Sequence, residues 1–274
     1  MMAAEKNQTH GSARVFDPAQ REELPRYIRD RDSGMAMGWF YALSVFLSRV
    51  AALTLFEIRI FNAKRVPRSG AVILAGNHQS LLDPWLLGLS QLRRACYLAR
   101  DSLFSVPVLG FLLRQYDSVP VARESTSARH SLEICVKVLE KKRALILFPE
   151  GTRSQDGKLQ PLKRGISLIA KMSDALVVPV LVRGAYDLWP RTQKLPCVGQ
   201  VSLYFGNGFR LDRSQSADTF VARLEASYRE LAFEVGAHAM LPEVSRAEGG
   251  AVVALPSMKN GEPPGLPEAV GSRA

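Results

Sequence analysis

"AVILAGNHQSLLDPW", residues 71–85, runs from an apolar stretch through a turn to a helix start within fifteen residues. Ala71-Val72-Ile73-Leu74 is the kind of unbroken apolar run that forms a strand buried on both faces. The chain turns at Gly76, and His78 and Asp83 follow, five residues apart. Asp83 stands directly before Pro84. Asp favours the N-cap and Pro the first helical position, so a helix is expected over about 84–92. Strand, tight loop and helix in this order are the building unit of a layered α/β domain.

The flanking chain repeats the pattern. "EIRIF" (57–61), "ACYLA" (95–99), "DSVPVA" (117–122), "ALILF" (144–148), "ALVVPVLV" (175–182) and "VSLYFG" (201–206) read as strands. Pro120 marks an edge or a bulge, and Pro179 inside its apolar run marks a bulge or an edge. Between them, "LFSVPVLGFLLRQ", "ARHSLEICVKVLEKK" and "KRGISLIAKMS" read as helices. A last helix is expected over 217–238, capped by Ser216. The expected fold is α/β, with a mixed, largely parallel sheet flanked by helices. In such sheets the loops at one strand end collect the chemistry.

The 274 residues carry a formal net charge of +10, unevenly spread. Residues 1–33 balance six basic against six acidic side chains, and residues 242–274 hold three against four. The excess therefore lies between them, which points to an anionic membrane surface, phosphorylated substrates or nucleic acid, or to solubility alone. Basic strips with interleaved aromatics and nucleic-acid motifs are missing from the sequence, which argues against the nucleic-acid reading. Cys96, Cys135 and Cys197 are scattered without a CxxC pair, as expected in a reducing compartment without a disulfide framework or metal cluster.

Four regions are expected: a polar arm (1–33), an apolar segment (34–56), the α/β domain (57–241) and a Pro/Gly/Ala-rich disordered tail (242–274). Residues 34–56 hold one charge, Arg49, and open with Trp39-Phe40-Tyr41. Their length is near the ~20 residues that span a bilayer, but the uncharged part is shorter. An interfacial helix, a spanning helix with Arg49 snorkelling, and a buried core helix all fit, and the first is preferred.

The chemistry is carried by four elements. Folded back on His78, the Asp83 carboxylate would fix the imidazole tautomer and leave the other nitrogen as a base. Taken alone, the spacing fits a helix cap beside a loop histidine better. "LFPEGTRSQDGK" (147–158) again follows a buried strand: Gly151 permits a tight turn, Thr152 adds a hydroxyl and Arg153 a cation, a loop able to hold a phosphate. As an ordinary strand exit, it would pair Glu150 with Arg153. Arg123 ends the strand "PVAR", and Lys163-Arg164 open a helix where an anion would be welcome.

In order along the chain, "NHQSLLD", an Arg-ended strand, "FPEGTRS" and an apolar strand with proline resemble the four motifs of the glycerolipid acyltransferases, the 1-acylglycerol-3-phosphate and glycerol-3-phosphate acyltransferases. The likeness covers about residues 35–235. It implies His78 as general base and Asp83 as its orienting acid. Arg123, Glu150, Gly151, Thr152, Arg153 and Lys163 would hold the acceptor's glycerol phosphate, and Pro179 would have a donor-related or structural role. "VPVAR" departs from the family's usual Phe-Ile-x-Arg setting. The implied reaction moves an acyl chain from acyl-CoA or acyl carrier protein to 1-acyl-glycerol-3-phosphate (lysophosphatidic acid), giving phosphatidic acid, with no cofactor and no metal. It places the chain on a phospholipid surface, at the cytoplasmic face of a membrane (the inner membrane in a bacterium). The same motifs also fit a lyso-ornithine lipid, another lysophospholipid or glycerol 3-phosphate as acceptor. A non-catalytic membrane-binding module would leave both loops unexplained.

Overall fold

The computed structural model describes residues 38–242 apart from residue 92, residues 122–126 and residue 213. The polar arm, Arg123 and residues 243–274 lie outside the described residues, as do the side chains of Trp39, Phe40 and Tyr41. Seven strands form one sheet in the order β1-β7-β6-β2-β5-β3-β4. They are β1 (Phe56–Phe61), β2 (Val72–Gly76), β3 (Ala95–Arg100), β4 (Ser118–Val121), β5 (Ala144–Leu147), β6 (Leu176–Arg183) and β7 (Gly199–Phe205). β6, β2, β5, β3 and β4 run parallel, while β7 is antiparallel to β6 and parallel to β1. The mixed, largely parallel sheet expected from the sequence is the one observed.

Every residue of β2 is buried, as its apolar run requires. Ile73 and Ala75 pack on one face of the sheet and Val72 and Leu74 on the other. The helices are α1 (Gly38–Leu55), α2 (Asp83–Leu89), α3 (Asp101–Phe104), α4 (Pro107–Gln115), α5 (Ser127–Glu140), α6 (Gly165–Ser173), α7 (Ala185–Leu188) and α8 (Ala217–Glu234). The first core face takes Ile134, Val138 and Leu139 of α5, Ile166 and Ile169 of α6, and Phe220, Leu224, Tyr228 and Leu231 of α8. These α8 residues recur every three or four positions, the stripe an amphipathic helix buries. Ser216 caps α8 by accepting a hydrogen bond from the Thr219 N–H at 3.1 Å. The second face takes Leu86 and Leu87 of α2 with Ala185 and Leu188 of α7.

Several local expectations change. The expected helix over 84–92 occupies 83–89, and the last helix ends at Glu234 rather than at 238. The apolar 103–115 stretch forms two helices because Pro107 starts a new first turn. Pro179 lies inside the sheet, not at its edge. β7 pairs Val180 with Phe205, yet the next bridge joins Val177 to Phe209, so three residues face two. The bulge falls where proline has no N–H to give. Arg49 does not snorkel. Its Nη2 donates to the carbonyls of Leu89 and Gln91, at 3.2 and 3.4 Å, at the C-terminal end of α2 where the helix dipole favours a cation. Among the described residues, no helix is long and apolar enough to cross a membrane.

Candidate active site

β2 and β5 are neighbours in register, Ala75 opposite Leu147, so the chain segments that leave them emerge side by side. This brings together the 77–83 and 148–160 loops. His78 donates from Nδ1 to the Asp83 carboxylate at 2.8 Å. The same oxygen, Oδ2, accepts from the Gln79 and Ser80 N–H groups at 2.6 and 2.7 Å. Those two donors are amides, so Oδ2 acts as an acceptor towards every partner and the proton of the pair sits on Nδ1. Nε2 is left with its lone pair. Phe148 stacks on the imidazole with ring centroids 4.1 Å apart and sets the plane in which that lone pair points.

Asp83 is not the helix cap that its position before Pro84 suggested. Leu82 is the N-cap and Asp83 the first helical residue. The carboxylate, with no solvent exposure, turns back to the loop amides instead of forward to the helix. A buried charge is tolerable only with donors against it, and the loop supplies three, all to Oδ2, while Oδ1 has no partner among the described residues.

Glu150 is the second anchor. It is 2% exposed, and its two oxygens accept from the N–H groups of His78 (2.8 Å) and Gln160 (3.2 Å). It does not pair with Arg153 among the described contacts. Burial pushes its carboxyl up to about 8, with a smaller upward push from Asp83 and Asp156 and an opposing pull from the two amides. Ser154 N–H donates to the His78 carbonyl at 2.7 Å, so the main chain of His78 is held by the third-motif loop at both its N–H and its C=O. Glu150 was expected among the phosphate-holding residues; its oxygens instead face this chain's own backbone.

The cations gather beside it. Gly151 adopts φ +72°, and a Cβ there would lie 2.6 Å from Lys163 Nζ. The positive φ is what calls for glycine here, and any larger residue would also push the flexible end of Lys163 aside. Lys163 and Thr152 are exposed. Arg153 is half-buried, with an Nη1 that has no hydrogen-bond partner among the described residues. Burial first, then the nearby Arg191 and Arg100, lower its hold on its proton, while Asp83 works the other way. Three guanidinium groups near one another, one carrying a buried donor without an acceptor, are suited to an anion. Arg164, the other cation at the start of α6, is paired with Asp218 at 2.7 Å.

Asn77 and Tyr228 support the site and were not singled out in the sequence. Asn77 is fully buried and bonds the β6 backbone in both directions, donating to the Val182 carbonyl at 3.0 Å and accepting from the Val182 N–H at 2.6 Å. Its side chain extends the β2–β6 ladder past the last strand residue and fixes where the His78 loop begins. An asparagine directly after a buried strand was the available signal. Ser80, which lies close enough to His78 in sequence to suggest a nucleophile, is buried. Its Oγ donates to the Trp189 carbonyl at 2.8 Å and accepts from the Leu82 N–H. Tyr228 of α8 donates to the Ala75 carbonyl at 2.8 Å from beneath the sheet.

Part of the chain is similar to known proteins. Residues 57–183 match the family model described as Acyltransferase. The chain is 31% identical over 137 residues to the 1-acyl-sn-glycerol-3-phosphate acyltransferase LPAT1 of Arabidopsis thaliana chloroplasts, covering 49% of this chain and 38% of that one. It is 30% identical over 128 residues to the 1-acyl-sn-glycerol-3-phosphate acyltransferase of Bacillus subtilis, covering 46% of this chain and 63% of that one. The chain therefore spans less than two thirds of these relatives. The crystal structure of the 1-acyl-sn-glycerophosphate acyltransferase PlsC from Thermotoga maritima superposes with a TM-score of 0.63 at 24% identity, covering 76% of this chain and 84% of that one, and shares the fold. His78, Asp83, Glu150, Arg153 and Lys163 all fall inside residues 57–183, the segment of this chain that matches the acyltransferase family model.

Proposed function

We propose that this chain transfers a fatty acyl group from the thioester of acyl-CoA or acyl carrier protein to the free hydroxyl of 1-acyl-glycerol-3-phosphate, giving phosphatidic acid. The observation that carries the reading is the His78–Asp83 pair, whose tautomer the loop amides fix, standing beside a cluster of cations at one end of the sheet. The names of the relatives support lysophosphatidic acid as the acceptor.

His78 Nε2 takes the acceptor hydroxyl's proton as its oxygen attacks the thioester carbonyl carbon. Asp83 stabilises the imidazolium that results, as the acid does in an Asp–His pair. Collapse of the tetrahedral intermediate breaks the C–S bond, and the departing thiolate recovers the proton from His78. The proton thus passes from the acceptor hydroxyl through His78 to the donor's sulfur, which leaves as a free thiol; no acyl-enzyme forms, so the scheme calls for no cofactor. Arg153 and Lys163, with Arg123 from the sequence pattern, hold the acceptor's phosphate. Glu150 serves them indirectly by locking the His78 main chain to their loop. The membrane-facing role belongs to α1, whose Phe46, Leu47 and Leu53 are exposed and which lies in the lipid interface at the cytoplasmic face.

The test is acyl transfer by the purified full chain with acyl-CoA and with acyl carrier protein, offered lysophosphatidic acid, glycerol 3-phosphate, a lyso-ornithine lipid and other lysophospholipids in turn. Phosphatidic acid should be the preferred product. A preference for another acceptor would keep the chemistry and reassign the substrate. No transfer to any acceptor by folded protein would overturn the reading.

A further inference from the structure

The loop joining α7 to β7, residues 189–198, is firmly built yet presents apolar side chains to water. The Cys197 N–H donates to the Leu188 carbonyl at 2.8 Å, the Gln193 N–H to the Pro190 carbonyl at 3.2 Å, and Trp189 Nε1 to the Gln193 carbonyl at 3.1 Å. Despite this internal bonding, Leu195 is 75% and Val198 73% exposed, among the highest values for large hydrophobic side chains in the described chain. Arg191 and Lys194 flank them, also exposed; Asp187 is the one carboxylate between Gly184 and Val198.

The topology places this loop. β6 runs parallel to β2, so its exit at Arg183 is at the His78 end of the sheet, and β7 starts there because it is antiparallel to β6. The Ser80 hydroxyl ties the His78 loop to the Trp189 carbonyl at 2.8 Å. β1 also starts at this end, with Phe56 paired to Gly199. The exposed Leu53 and Leu55 at the end of α1 are therefore brought to the same sheet end as Val198. Leu81, within the His78–Asp83 loop, is half exposed at the same end.

We infer that the 189–198 loop is a second membrane contact, inserting Leu195 and Val198 into an anionic lipid surface while Arg191 and Lys194 meet the headgroups. With the C-terminal turn of α1, it aims the His78 end of the sheet at the bilayer. The bilayer is favoured over a second copy of the chain because the loop joins aliphatic tips to a basic flank, the pattern that binds interfaces holding anionic lipid. The inference rests on the reading of α1 as an interfacial helix, and its orientation serves the proposed use of a lipid acceptor.

Cys197 provides the probe, because it is exposed within this loop while Cys96 and Cys135 are buried. Full-length protein labelled at Cys197 with a polarity-sensitive dye is titrated with phosphatidylcholine vesicles containing 30 ± 10% phosphatidylglycerol (about a third anionic lipid, enough for an electrostatic response), and with pure phosphatidylcholine. The dye should shift to shorter wavelength with the anionic vesicles and much less with the neutral ones. Leu195→Asn with Val198→Asn should weaken vesicle partitioning about tenfold, the scale of withdrawing aliphatic groups from lipid, and leave the melting temperature unchanged. A dye that stays in a water-like environment while the protein sediments with vesicles overturns the inference, as does a shift that grows with protein concentration without lipid. Neither readout requires acyl transfer, so failure of the enzymatic reading is seen separately.

Discussion

Glu150→Gln tests the strut between the two loops. In the wild type, burial raises the Glu150 carboxyl from its ordinary 4.5 to about 8. An acid whose native pKa exceeds its unfolded one binds more protons folded than unfolded between the two values. Stability is thus highest below pH 4.5 as far as this group is concerned, and it is lost as pH rises from 4.5 to about 8. The loss is a factor of about ten in the folding constant per pH unit, on the order of 3 kcal/mol between pH 5.5 and 7.5. With 2% exposure, solvent does little to screen it. Glutamine keeps a carbonyl oxygen for the His78 N–H but does not titrate, so the variant lacks this slope. Urea unfolding of both proteins at half-unit steps of pH gives the difference directly. Wild type should lose ground to Glu150→Gln steadily as pH rises. Parallel stability curves, or a wild type that gains on the variant, would refute the argument and mean that the two amides hold the carboxyl ionised. Glu150→Ala removes the acceptor for both N–H groups and should cost roughly 2–4 kcal/mol. Because it acts through the His78 backbone, it should lower kcat more than it raises either KM.

His78→Ala should lower kcat by about 10²–10⁴ in a folded protein, the usual contribution of a general base, as read by steady-state acyl transfer with circular dichroism as control. Asp83→Asn should impair turnover as well, since a neutral side chain no longer fixes the tautomer, and retained wild-type turnover would count against the pair. Gly151→Ala should destabilise the protein, because φ +72° strains any residue with a Cβ, and should raise the acceptor KM by displacing the Lys163 side chain. Arg153→Ala, and Arg123→Ala from the sequence pattern, should each cost roughly 1.5–3 kcal/mol of acceptor binding and leave the acyl-donor KM nearly unchanged; equal damage to both substrates would remove them from the phosphate site. Asn77→Leu should destabilise by about 2–5 kcal/mol in chemical denaturation, because the Val182 N–H and C=O lose their buried partner.

The sequence by itself determined which segments are buried and how they repeat. The run Val72-Ile73-Leu74 read as a strand covered on both faces, which it is, and the 217–238 stretch under the Ser216 cap read as a helix, which the structure ends at Glu234. The ordered motifs likewise pointed to His78, Asp83, Glu150, Arg153 and Lys163. These signals are local: side-chain period and turn chemistry depend on neighbours a few residues apart. What Asp83 and Glu150 bond to was decided only by the tertiary structure. Asp83 reads as a cap in sequence, and becomes a partner of His78 because the loop curls its amides around the carboxylate. Glu150 reads as a substrate ligand or an Arg153 partner, and becomes a strut to a residue 72 positions away because β2 and β5 lie side by side. The same holds for Arg49, which finds carbonyls at the end of α2, and for Lys163, which lies over Gly151. A buried polar group must be satisfied, and the sequence announces that demand; which distant amide or carbonyl meets it is fixed only when the strands are set next to one another.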